Sequence, residues 1–356
     1  MKKTLLIILL FVQVGISQSF LHTSGKKIVD GYGNEIILEG FGLGGWLVME
    51  GYMLHTSGFA NAQWEIKQHI EDLIGPANAE AYYQAYHNNY VNKEDIDKIA
   101  EWGFNSIRLP FHYNILTPEN SPGVYLEEGF AIIDSVLSWC EVNQLYLILD
   151  MHAAPGGQSD GPICDYNPAK PSLWQDPANQ DRTVDIWRKI AERYNNKEWI
   201  GGYDLINEPA KDLGPNALPL RNLYERITDT IRVVDTNHII FIEGNWWATT
   251  FDGLTPPWDD NMVYSFHKYW NSTDQGTIQY LVNIRNDYDV PLWLGETGEN
   301  SNGWFVECVE LMQANNIGWA WWPHKKIDAL NGPLSAKLKP DYQVLLDYWN
   351  GQGDRP

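Results

Sequence analysis

The sequence predicts an α/β protein, a (β/α)8 barrel of the TIM type, folded as a single domain with a decorated first βα loop. Three observations carry that expectation. Eight short apolar runs alternate along the chain with amphipathic segments, and strands that alternate with helices imply a parallel sheet. Most runs are apolar at consecutive positions rather than at every second one, so both of their faces are covered, which suits a closed barrel better than an open sheet. The 356 residues are 44% hydrophobic and 20% charged, an ordinary globular composition, and barrels of ~250 residues or more are single domains.

At the N-terminus, Lys2 and Lys3 precede an apolar run over Leu5–Val14, broken only by Gln13, and a small-residue exit at Gly15-Ile16-Ser17. Met1–Ser17 therefore reads as a secretory signal peptide, too short to span a bilayer. That assigns 18–356 to the barrel domain and makes the mature protein secreted or periplasmic. The first strand is expected over Ile36–Phe41. A long insertion, Glu50–Tyr90, follows it with helical stretches at Gln63–Leu73 and Asn78–Tyr86, and reads as a loop laid over the top face.

Helix Lys93–Trp102 then leads to strand Ser106–Leu109, helix Phe130–Val142 to strand Leu145–Asp150, and helix Arg182–Tyr194 to strand Tyr203–Ile206. Helix Leu218–Val234 leads to Ile239–Ile242 and Val263–Phe266, Gln275–Asp287 to Leu292–Leu294, and Phe305–Asn315 to Gly318–Trp321. Tyr342–Trp349 closes the chain as a helix. Asn92, Asp181 and Asn302 are expected to start helices as caps or acidic first turns.

Composition narrows the function. Acidic side chains number 46 against 25 basic, a net charge of −21, which excludes nucleic acid and anionic membrane surfaces as partners. Seventeen tryptophans exceed the needs of one core and offer flat surfaces for sugar rings. Cys140, Cys164 and Cys308 are an odd set with no short spacing, so at most one disulfide is expected; Cys140 and Cys308 fall in helices, where a free thiol acts as a small hydrophobe. The nine histidines contain no H-x-x-x-H pair and no C-x-x-C accompanies them, so neither metal nor cofactor is expected. A monomer is expected.

In a barrel the carboxyl ends of the strands carry the chemistry. Here they carry Arg108, Asp150 and His152, Asn207-Glu208-Pro209, His267 and Tyr269, Glu296 and Trp322. A charged residue directly after four or five apolar positions is costly unless paired, and a converging set has no structural use. Glu208 and Glu296, after strands four and seven, suit glycoside hydrolysis, where one carboxyl protonates the leaving oxygen and the other attacks the anomeric carbon or activates water. Arg108 is placed to neutralise the attacking carboxylate. Glu208 is expected to stay protonated through burial and like-charge repulsion.

Two motifs point elsewhere. Gly40, Gly42 and Gly45 match G-x-G-x-x-G after a strand, but a dinucleotide unit needs an acidic residue ~20 residues on, at the end of a second strand, and none follows there. Gly157-Gln158-Ser159-Asp160-Gly161 matches G-x-S-x-G, yet Pro162, Pro168 and Pro171 prevent the prompt helix that a nucleophile elbow requires.

The strand-end residues together resemble glycoside hydrolase family 5, retaining enzymes on the eight-stranded barrel. Asn207-Glu208-Pro209 resembles the acid/base motif and Leu294-Gly295-Glu296 the nucleophile strand. Ser106-Ile107-Arg108-Leu109-Pro110, Asp150-Met151-His152, His267-Lys268-Tyr269 and Trp319-Ala320-Trp321-Trp322 match in order. Gly44–Met53 and His152–Gln158 resemble the exo-β-1,3-glucanase branch, although Thr297-Gly298-Glu299 stands where that branch continues with a tryptophan.

The resemblance implies a secreted β-glycosidase acting on β-glucan or β-glucosides, with Glu208 as acid/base and Glu296 as nucleophile. Arg108 and Tyr269 would position Glu296, and Asn207 would hold the 2-hydroxyl. His152 and His267 would line the subsite at the cleaved bond, Trp322 would stack on the sugar and Glu50 would contact a terminal glucose. Trp246, Trp247, Trp258 and Trp270 are the next sugar-facing candidates, while Trp102, Trp139 and Trp187 fall on helix faces as core. A β-1,4-glucanase, β-mannanase or β-glucosidase of the same family, a non-catalytic carbohydrate-binding protein, and a serine hydrolase through Ser159 are the rivals.

Overall fold

The computed structural model describes residues 19–356; the expected signal peptide lies outside the described residues. A short antiparallel hairpin, β1 (His22–Ser24) and β2 (Lys27–Val29), comes first. Eight strands then close a barrel in which each neighbouring pair is parallel: β3 (Glu39–Gly42), β4 (Ser106–His112), β5 (Tyr146–Ala153), β6 (Ile200–Asp204), β7 (Ile239–Glu243), β8 (Met262–Lys268), β9 (Leu292–Gly298) and β10 (Gly318–Trp322), with β10 returning to β3. Each expected run overlaps one of these strands; most extend further toward the carboxyl end, while β3 begins at Glu39 rather than Ile36 and β6 spans Ile200–Asp204 rather than Tyr203–Ile206.

Strand period sorts the side chains into two shells. Ile107, Leu109 and Phe111 on β4 and Leu147, Leu149 and Met151 on β5 join the main core between strands and helices. The residues between them face the barrel axis. Tyr146, Ile148, Ile239, Phe241, Val263, Trp293 and Ala320 fill its lower end, with Leu38, with Leu21 just before the hairpin and with Ile28 in its second strand. Each fully buried large apolar side chain stabilises the fold by ~1.5–3 kcal/mol, and this interior plug leaves only the opposite end of the barrel open.

Local signals set the helix starts, and two of the three expected caps move. Asn92 caps Lys93–Glu101, its side chain accepting from the Asp95 amide, while Asp95 Oδ2 accepts from the Asn92 amide at 3.1 Å. Helix Pro177–Tyr194 starts earlier than expected because Asp176 accepts from the Ala178 amide and Pro177 takes the first helical position, where no N–H is needed. Asp181 is thus inside the helix, paired with Arg226. Ser301, not Asn302, caps Asn302–Ala314.

The insertion forms helices Gln63–Ile74 and Pro76–Tyr90, which share a small core of Met49, Leu54, Ala60, Ile66, Ile70 and Ala79 with Trp349 of the closing helix Pro340–Trp349. Trp187 is fully buried, but Trp102, expected in the core, is 42% exposed at the end of its helix. All three cysteines are buried and free. Among the described residues no helix is long and apolar enough to cross a membrane.

Candidate active site

The open end of the barrel is floored by one guanidinium. Arg108 is fully buried, and its Nε lies 2.9 Å from Asp204. One terminal nitrogen reaches Glu243 at 2.9 Å, Asp150 at 3.1 Å and the Asn207 side-chain oxygen at 2.9 Å. The other donates to Glu296 Oε1. Four carboxylates thus converge on one cation. Burial pushes Asp150 well above the usual carboxylate range, against the pull of Arg108, and Asp204 up to about 7, with Glu243 adding to the rise.

Asp204 and Glu243 are functional-site residues that the sequence reading missed. The signal was available, since each follows an apolar run as Asp150 does. Asp150, Asp204 and Glu243 have oxygens within 4.8 Å of one another, the spacing of a metal site. The Arg108 guanidinium already reaches all three, so the donor set is taken by a cation of the chain itself.

Above the floor, Glu296 is fixed from two sides, by Arg108 at Oε1 and by the Tyr269 hydroxyl donating to Oε2 at 2.7 Å. His152 lies beside it, with Nδ1 2.8 Å from Asp150 Oδ2 and 3.9 Å from Glu296 Oε1. Burial holds the His152 imidazole down at about 4 in spite of Glu296, so it is neutral at neutral pH.

His267 has the opposite fate. Its Nδ1 is 2.7 Å from Glu208 Oε1 and 3.5 Å from Glu296 Oε2, and its Nε2 is 3.2 Å from Glu243 Oε1. Burial works against its charge, but Glu243, Glu296 and Glu208 outweigh it and raise the imidazole well above its ordinary value. Glu208 is then lowered in spite of its own burial, chiefly by the His267 hydrogen bond and charge. This corrects the expectation that Glu208 stays protonated: the burial is there, but a cation stands 2.7 Å away.

Glu208 has φ 43°, a left-handed conformation that costs a residue with a side chain ~1–3 kcal/mol. Its amide donates to Glu243 Oε2 at 2.6 Å, which holds the turn.

These groups open into a cavity of about 700 Å3 lined by Glu50, Tyr52, His152, Glu208, Trp247, His267, Tyr269, Trp270, Glu296, Glu299 and Trp322 among others. Seven of the nine expected site residues therefore share one wall. Arg108 and Asn207 lie beneath it: Asn207 is fully buried, and its side-chain oxygen is occupied by Arg108. Trp322 stacks on His152 with ring centroids 5.1 Å apart and 9° between planes, and its Nε1 donates to the Tyr52 hydroxyl at 2.9 Å. Glu50 is buried with Oε1 unpartnered, and burial followed by Glu296 and Glu208 raises it well above the carboxylate range.

Of the other tryptophans, Trp247 (53% exposed) and Trp270 (78% exposed) reach the cavity, while Trp246 packs at 5.9 Å against Trp247. Trp258 lies away from it, over Tyr224 and Arg221, and Trp174 donates to the Gln158 carbonyl.

Both competing motifs resolve into packing. A Cβ on Gly40 would stand 1.9 Å from the Ser106 carbonyl oxygen, one on Gly42 2.7 Å from the Trp322 ring, and one on Gly45 2.7 Å from Met53 Sδ and the Tyr90 hydroxyl. Ser159 is buried with Oγ 3.2 Å from Cys164 Sγ, outside the cavity and with no histidine at its hydroxyl.

Comparison with known proteins agrees with this geometry. A family model described as cellulase (glycosyl hydrolase family 5) matches residues 68–326. A β-xylosidase of Phanerodontia chrysosporium is 33% identical over 253 residues, covering 70% of this chain and 52% of the relative. Endoglucanase C of Acetivibrio thermocellus is 34% identical over 311 residues, covering 70% of this chain and 88% of the relative. A probable glucan 1,3-β-glucosidase A of Aspergillus clavatus is 26% identical over 246 residues, covering 67% and 56% respectively. The chain thus spans about half the length of the xylosidase and the glucosidase, and most of the endoglucanase.

Proposed function

The chain belongs to glycoside hydrolase family 5, and from that premise we propose that it is a retaining β-glycosidase acting on β-glucan or β-glucosides, with Glu208 as acid/base and Glu296 as nucleophile. One observation carries the reading. Oxygens of Glu208 and Glu296, with a nitrogen of His267, lie within 4.8 Å of one another at the wall of the cavity. Retaining enzymes hold their carboxyl groups ~5–5.5 Å apart, whereas inverting enzymes need ~6.5–9.5 Å to admit water between them.

In the first step Glu296 Oε attacks the anomeric carbon while Glu208 gives its proton to the glycosidic oxygen. The carbon–oxygen bond to the leaving group breaks and a glycosyl ester forms. In the second, Glu208 takes a proton from water, the water oxygen attacks the same carbon, and Glu296 leaves as a carboxylate.

His267 and Glu208 together hold one proton. It rests on the imidazole in the free enzyme and must pass to Glu208 Oε1, 2.7 Å away, before the glycosidic oxygen can be protonated. Arg108 and Tyr269 keep Glu296 in line, and Asn207 braces Arg108 from beneath.

Hydrolysis of an activated aryl β-glucoside tests the assignment. Glu296→Ala should abolish it, and the first anomer released by the wild type should be β; retained activity, or an α product, would refute the reading. Linkage is the finer proposal. The opening Gly44–Met53 with Glu50, and the similarity to a probable glucan 1,3-β-glucosidase, favour terminal β-1,3-linked glucose. The greater identity and coverage of an endoglucanase favour internal cleavage of β-1,4-glucan as the second reading. Product sizes from laminarin and cellulose separate them. Export is proposed on Met1–Ser17 alone, and sequencing the N-terminus of the mature protein checks it.

A further inference from the structure

One end of the cavity is shut by side chains that the proposed chemistry does not use. Resting on the reading above, the leaving group lies toward Glu208, after β6, and the sugar under attack lies toward Glu296, after β9. On the sugar's side Lys326 Nζ pairs with Glu299 Oε2 at 2.6 Å and stands 5.3 Å over the Tyr52 ring. Tyr52 is tied to Trp322. Behind this barrier is a second depression of about 520 Å3, to which Tyr52, Lys326, Asn300 and Asn331 contribute. Tyr52 therefore has one face on each cavity.

Two buried carboxyl oxygens, Glu50 Oε1 and Glu299 Oε1, have no partner, and both residues line the catalytic pocket. Such orphaned acceptors are costly to bury, and sugar hydroxyls are donors of the right kind to satisfy them. Glu299 has φ 46°, so its position is held against backbone strain. Neither residue of the ion pair comes from the motifs that carry the family resemblance. Glu299 closes the segment Thr297-Gly298-Glu299, in which the chain departs from the exo-β-1,3-glucanase branch after the nucleophile.

We propose that the Glu299–Lys326 pair, laid over Tyr52, is an end wall that restricts the glycone site to a single sugar. Glu299 and Glu50 read that sugar's hydroxyls, and the outer depression is a further sugar site that the wall cuts off. Exo action follows from the wall, since a longer glycone cannot pass it.

The test uses an aryl β-laminaribioside and follows the first sugar released. Wild type should release glucose first, leaving the aryl glucoside. The double variant Glu299→Gly/Lys326→Ala removes the wall without leaving either charge unpaired, and glycine is at ease at that backbone angle. It should release intact disaccharide, raising the ratio of disaccharide to glucose at least tenfold. Lys326→Arg, which preserves the pair, should keep the glucose-first pattern. Disaccharide as the first product of the wild type, or an unchanged ratio in the folded double variant, overturns the wall alone. If the wild type hydrolyses neither this compound nor an aryl β-glucoside, the catalytic reading fails and the wall falls with it.

Discussion

Replacing Gly44 with alanine adds one methyl group and asks whether Trp322 is seated as firmly as the contacts imply. Gly44 is not in the left-handed region, so alanine meets no backbone penalty and the effect is purely steric. Its Cβ would lie 2.6 Å from Cη2 and Cζ2 of Trp322 and 3.0 Å from Cε2. Carbon atoms in contact rest ~3.5–4.0 Å apart, so the ring or the strand must yield by about 1 Å. The ring is tied by its stacking on His152 and its hydrogen bond to Tyr52, and it borders the cavity.

A misplacement of ~1 Å in a positioning group costs ~100-fold in rate, or about 2.7 kcal/mol of transition-state stabilisation. Overpacking adds ~1–3 kcal/mol of lost stability. The assay is kcat/KM on an aryl β-glucoside together with thermal denaturation. A double-mutant cycle with Trp322→Phe isolates the cause, because the smaller ring gives the methyl group room. In that background alanine should cost less, with a coupling of at least ~1 kcal/mol. Wild-type kcat/KM and stability in Gly44→Ala, or strictly additive losses in the cycle, would refute the reasoning.

His267→Asn keeps a donor near Glu208 but removes the cation that lowers it. The proton of the pair is then lost from Glu208 rather than from a raised imidazole, so the alkaline limb of the kcat/KM profile should move to lower pH; an unmoved limb would show that the two groups do not share a proton. His324 is fully buried with neither ring nitrogen partnered, and burial, helped by Lys325, pushes it down to about 3. Between its unfolded value of ~6.5 and that folded value the unfolded chain binds more proton, so stability is lost as the pH is lowered through that window, by about 3 kcal/mol at pH 4. His324→Leu should flatten that decline in chemical denaturation, and an unchanged slope from pH 6.5 to 4 would count against it. Trp270→Ala removes an exposed ring at the cavity and should raise KM for oligosaccharides several-fold; an unchanged KM would show that the ring holds no sugar.

How far the sequence reaches can be seen in particular residues. Runs such as Leu145–Asp150 announce both a strand and the acid at its end, because a charge after consecutive apolar positions needs a partner. Which partner is a matter of closure. Arg108 meets Asp204, Glu243 and Glu296 across the barrel, from strands far apart in the chain, so the reversal of the Glu208 expectation is visible only once His267 is brought beside it. Gly42 and Gly44 are legible as unusual but not as packing, since the Trp322 ring that needs their space comes from the last strand. Trp102 ends its helix at the surface because the core beneath is already filled by Phe41 and Phe104, with which it keeps only a tilted contact to Phe41 at 6.1 Å. The hairpin β1–β2 went unseen because three-residue strands leave no periodicity to read.

That hairpin also decides how the molecule can be handled. Leu21 and Ile28 seal the barrel at the end remote from the catalytic groups, whereas the closing helix lies against the insertion at the mouth, with Trp349 near Phe59. A bead, dye or display scaffold attached through the segment before Leu21 leaves the entrance facing bulk solvent and polymeric substrate. The same attachment after Trp349 sets the bulk beside the entrance, so comparing the two orientations on a soluble aryl glycoside and on an insoluble glucan separates obstruction from inactivation.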